Sequence, residues 1–143
     1  MRKVVWTVAL GICLAALALG AAAATAKQPK RYYLSLGDSL AAGVQPGPDG
    51  AARNTRQGFA YQLARRAGRV KLVNYGCGWA TSGSFIDGSR PCLPVRRPGY
   101  ANKGPRTSQL AAAERFLRRH RERVAFVTID IGANDVAACA AGG

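Results

Sequence analysis

The 143-residue chain is 48% hydrophobic and 20% charged, with 17 Gly and 7 Pro, which fits one globular domain and excludes a disordered, collagenous or coiled-coil polypeptide. Its 21 Lys and Arg against 7 Asp and Glu give a net charge of +14, a field that attracts anionic partners such as nucleic acid, acidic headgroups or anionic surface polymers.

The chain begins with Met1-Arg2-Lys3, a 21-residue apolar run from Val4 to Ala24, and then Thr25-Ala26-Lys27. A basic start, an apolar middle and an Ala24-Thr25-Ala26 cleavage site make a secretory signal over residues 1–26. The mature chain, residues 27–143, would be a secreted, extracellular domain of 117 residues with a charge of +12. The alternative is a membrane anchor over residues 4–24, long enough to span a bilayer if uncleaved. The small residues that end the run favour cleavage. Export makes nucleic acid an unsuitable partner. The arginines are dispersed apart from Arg115 to Arg123, with no aromatic residues spaced for base stacking.

Arg31 to Leu36 reads as a strand stopping at Gly37. From Gln57 to Gly68, Phe59, Leu63 and Ala67 recur every four residues, which predicts an amphipathic helix with Gly68 as its cap. Val70 to Val73 is a second strand. Gly76 to Arg106 is expected to be a long irregular loop, with Pro91, Pro94, Pro98 and Pro105 near its end. Thr107 or Ser108 caps a further helix carrying Leu110, Ala113, Phe116 and Leu117. The apolar run Val124 to Ile131 predicts a third strand, covered on both faces as in a parallel sheet. Strands alternating with helices mean an α/β domain.

Once the leader is removed, Cys77, Cys92 and Cys139 remain. Cys77 and Cys92 bracket a Gly/Ser/Pro-rich loop and are the expected disulfide, leaving Cys139 unpaired. No C-x-x-C occurs and the single histidine gives no zinc spacing, so neither a metal nor a cofactor is expected.

Two strands end in polar, glycine-bearing turns, Gly37-Asp38-Ser39-Leu40 and Gly132-Ala133-Asn134-Asp135. Sites in open α/β sheets gather beyond the carboxyl ends of the strands, which brings Ser39 and Asn134 toward one crevice. Singly, each reads as an ordinary turn residue; together they favour function.

Tyr33 to Leu40, followed by Ala41-Ala42-Gly43, resembles the first block of the GDSL or SGNH serine esterases and lipases. Ile131 to Asp135 resembles their third block, and Asn74 to Ser82, more loosely, their second. The resemblance implies a flavodoxin-like three-layer α/β/α fold and hydrolysis of esters of lipids or acylated carbohydrates. By it Ser39 would be the nucleophile. The oxyanion hole would combine the Ser39 N–H, the Asn134 side-chain amide and a backbone N–H of Gly78 or Trp79. Asp38 holds the turn rather than acting as a base.

Two departures stand against the resemblance. The family's second-block glycine falls on Trp79, and a bulky residue resists positive φ. The family's final Asp-x-x-His block, which supplies the catalytic His and Asp, is absent from the chain. His120 cannot replace it, because it ends a helix at the opposite rim of the sheet and reads as a surface residue. The expectation is an N-terminal portion of the hydrolase domain, inactive alone, with an incomplete sheet, an exposed third-strand edge and a partnerless Cys139. The alternative is a non-catalytic basic secreted module that binds anionic surface polymers.

Overall fold

A computed structural model describes residues 31–89, 92 and 107–141. The leader over residues 1–26, the alternative anchor over 4–24 and most of the Pro-rich segment lie outside the described residues. Among the described residues no helix is long and apolar enough to cross a membrane.

In chain order the elements are β1 (Arg31–Gly37), α1 (Ser39–Ala42), β2 (Val44–Pro46), β3 (Ala52–Asn54), α2 (Phe59–Ala67), β4 (Val70–Asn74), α3 (Ser82–Asp87) and α4 (Gln109–His120), then β5 (Val124–Asp130) and α5 (Ala133–Ala141). A single 3-10 turn, Arg121–Arg123, joins α4 to β5. The main sheet is parallel in the order β4-β1-β5, so the second, first and third predicted strands lie side by side as the family resemblance implies.

The alternation of β1 divides the core. Leu34 and Leu36, both essentially buried, face Ala113, Phe116 and Leu117 of α4 and Phe85 of α3. Val73 and Tyr75 pack into the same cluster. Tyr33 and Ser35 point the other way. Tyr33 stacks on Phe126 at 4.4 Å between ring centroids, and its hydroxyl bonds Thr128 at 2.8 Å. On that second face Tyr61, Ala64 and Arg65 of α2 line an open groove of about 600 Å³ with Val70, Leu72 and Asn74. Helices thus flank both faces of the sheet.

Three expectations need correction. The run 124–131 is not covered on both faces, since Val127 and Ile129 are 38% and 59% exposed. By register they lie beside Leu34 and Leu36, but the helices of that face pack on β1 and leave β5 open. The predicted loop 76–106 contains the helix α3, started by a capping box in which Thr81 and Ser84 satisfy each other's backbone N–H groups. A short antiparallel pair, β2 and β3, was not foreseen; its turn is closed by the Gly47 N–H on Ala51 and by an exposed Arg53–Asp49 ion pair.

Candidate active site

The rim at the carboxyl ends of the strands begins with Gly37, whose φ of 130° lies in the region that favours glycine. A Cβ there would stand 1.9 Å from the Asp130 carbonyl oxygen, so β1 and β5 approach more closely than any side chain permits. The ladder continues one residue further, where the Asp38 N–H donates to the Asp130 carbonyl at 2.9 Å. Asp38 is the N-cap of α1 and its side chain accepts the Leu40 N–H at 2.9 Å. It is 2% exposed, and burial pushes its carboxyl above the ordinary range. The Leu40 bond opposes that shift, while the negative charge of Asp130 adds to it. This carboxylate braces the turn. Ser39 follows it as the first, half-buried residue of α1.

The end of β4 is locked against the same turn. Asn74 donates to the Ala41 carbonyl at 2.8 Å and accepts the Gly76 N–H at 2.8 Å. The Cys77 N–H donates to the Gly37 carbonyl at 3.0 Å. Cys77 and Cys92 form a disulfide. Cys77 to Ala80 make a β-turn, closed by the Ala80 N–H on the Cys77 carbonyl at 3.1 Å. Its third position is Trp79, at φ 61°, where glycine is the favoured residue. A non-glycine residue held left-handed costs roughly 1–2 kcal/mol. The indole gains little from burial in return, since Trp79 is 59% exposed while Gly78 and Ala80 beside it are buried.

The end of β5 completes the rim. Asn134, in the first turn of α5, donates its side-chain amide to the Ala80 carbonyl at 2.8 Å. An amide nitrogen carries two N–H groups, so one bond to Ala80 leaves a second donor on the same atom. Asp135 accepts from the Ser82 N–H and, at 2.6 Å, from the Ser82 hydroxyl. The two side chains bind the first turn of α5 to the segment that holds Trp79. Ser39, Gly78, Trp79 and Asn134 therefore stand at one end of the sheet, connected through Gly37–Cys77 and Ala80–Asn134 hydrogen bonds. The groove beside α2 contains none of them.

His120 is at the other end. Its ring lies 4.7 Å from Tyr32 and 4.6 Å from Phe116, centroid to centroid, so it is part of an aromatic cluster rather than a free surface residue. Tyr32 is five residues before Gly37, or about 17 Å along an extended strand. A general base acts at about 3 Å, or through one water. Cys139 is exposed and unpaired.

Sequence reasoning missed Gln109. It is 2% exposed, and its side-chain oxygen accepts the Gly37 N–H while its nitrogen donates to the Gly37 carbonyl at 3.0 Å. The Ser108 hydroxyl, accepting the Ala111 N–H, starts α4 so that Gln109 falls on the stripe of Ala112, Ala113 and Phe116. A glutamine opening an otherwise apolar helical stripe was the available signal. Asp135 was also missed, and as an ordinary acidic third residue of a helix it carried no such signal.

Residues 35–142 match the GDSL-like lipase/acylhydrolase family. No curated protein and no solved structure shows a significant match to the chain.

Proposed function

Starting from a chain that belongs to the GDSL-like lipase/acylhydrolase family, we propose that it carries the nucleophile and oxyanion donors of a secreted carboxylic ester hydrolase. Ser39 attacks the ester carbonyl. The Asn134 side-chain amide, the Ser39 N–H and a backbone N–H from Gly78 or Trp79 receive the negative charge that develops on the carbonyl oxygen. Donors fixed before reaction are each worth roughly 2.7–4 kcal/mol at such a position. The observation that carries this reading is the 2.8 Å bond from Asn134 to Ala80, which ties the third block to the second at the rim where Ser39 begins α1.

A serine hydroxyl is a weak nucleophile until a base takes its proton. The chain's one histidine, His120, is engaged with Tyr32 and Phe116 at the far rim. Turnover of p-nitrophenyl butyrate by this chain is therefore expected to be no faster than by its Ser39→Ala variant, and strong Ser39-dependent hydrolysis would refute that inactivity.

The oxyanion assignment is tested without turnover. A butylphosphonate monoester, a tetrahedral anion resembling the reaction intermediate, is titrated calorimetrically into the chain and into Asn134→Ala. The substitution removes no charge, so attraction to the +14 surface is common to both titrations. Weakening by tenfold or more supports the assignment; equal affinity overturns it.

A further inference from the structure

Trp79 combines features that packing does not account for. It occupies a left-handed turn position that favours glycine, yet it carries the largest side chain available. That side chain is 59% exposed. Its backbone is held from both sides, by the Cys77–Cys92 disulfide before it and by the Asn134–Ala80 hydrogen bond after it. Strained residues persist where the surroundings over-determine them, and they cluster at ligand sites. Trp79 is also placed like one: Cys77 bonds Gly37, and Trp79 and Ser39 each lie two residues beyond that bond.

We infer that the exposed indole of Trp79 is a stacking platform for the pyranose ring of an acylated carbohydrate, which makes it the residue that selects sugar esters; this rests on the ester-hydrolase reading of Ser39. An indole face is electron-rich and attracts the polarised C–H groups along one face of a pyranose. An open platform suits a rigid ring whose hydroxyls stay in water. A long acyl chain gains affinity only by withdrawing its methylenes from water, which needs an enclosed channel instead of a half-exposed ring.

The test compares three neutral esters by calorimetry on the full chain: peracetylated xylobiose, triacetin and phenyl acetate. The first two share acetyl esters and differ in the pyranose ring. Expected is a tenfold or greater preference for the xylobiose ester over triacetin. Trp79→Gly and Trp79→Ala should abolish it, and Trp79→Phe should restore part of it. In a Trp6→Phe background Trp79 is the one remaining tryptophan, and its fluorescence should respond to the sugar ester and not to triacetin.

A structural role predicts a different outcome. Trp79→Gly relieves the left-handed strain and should raise the melting temperature by a few degrees while sugar-ester binding is lost. A lower melting temperature in Trp79→Gly would mean that the ring supports the fold, and would overturn the inference. No preference for the sugar ester, or a preference for phenyl acetate, would overturn it as well. If the phosphonate titration still depends on Asn134, such a failure leaves the ester-hydrolase reading standing; if both fail, that reading falls too.

Discussion

The carboxamide of Gln109 engages both backbone polar groups of Gly37, accepting from its N–H and donating to its carbonyl. The two residues are 72 positions apart, so the first turn of α4 positions the last residue of β1, two residues before Ser39. The Gly37 carbonyl has a second partner in the Cys77 N–H, whereas the N–H depends on Gln109.

Replacing Gln109 with Leu keeps the volume roughly constant but leaves the Gly37 N–H buried without an acceptor. An orphaned donor of this kind costs about 1–3 kcal/mol. Urea denaturation of Gln109→Leu should show a loss of that size with an unchanged slope. Stability equal to the parent's would mean that the Gly37 N–H finds another acceptor.

Asp38 makes a pH prediction. Its carboxyl titrates above the ordinary range, mainly because it is buried. The folded chain therefore binds this proton more readily than the unfolded chain, and Asp38's contribution to stability falls as pH rises through the window between its unfolded and folded values. Asparagine caps helices about as well as aspartate and has no charge to bury. Asp38→Asn should be at least as stable as the parent at neutral pH. The stability difference, variant minus parent, should grow as pH rises through that window and then level off. A difference that shrinks with rising pH would contradict the burial argument.

The Cys77–Cys92 bridge closes a loop with a sequence separation of 15. Loops of that length stabilise by about 3 kcal/mol through the entropy they remove from the unfolded chain. Unfolding in urea after complete reduction, compared with the oxidised protein, should show a loss of roughly that amount. Cys77 is nearly buried, so reduction should be slow unless the chain is first partly unfolded. Equal stability of the two forms would place the bridge outside the cooperative core.

Much of this architecture is legible in the sequence because its signals are local. Arg31–Gly37 and Val124–Asp130 are largely apolar runs that end in glycine-bearing turns, and α2 and α4 show their periodicity and their Gly68 and Ser108 caps. The placement of Ser39 and Asn134 at one rim follows from strand direction alone. The remainder depends on contacts that local pattern does not carry. β2 and β3 are three residues each, and Pro46 counts against a strand. The links from Gln109 to Gly37 and from Asp135 to Ser82 span 72 and 53 positions. Trp79 was recognised as a misfit at a glycine position, but its exposure depends on how α3 and α5 bound the turn that carries it.

One flank of β5 remains unclaimed by any strand among the described residues, with Ile129 and Val127 open beside it. A row of free amides and carbonyls along an apolar ribbon accepts whichever extended peptide arrives first, whatever its origin. Strands from other molecules compete for that place in proportion to how crowded the solution is, so concentration during refolding decides how often this margin becomes the seam of an aggregate.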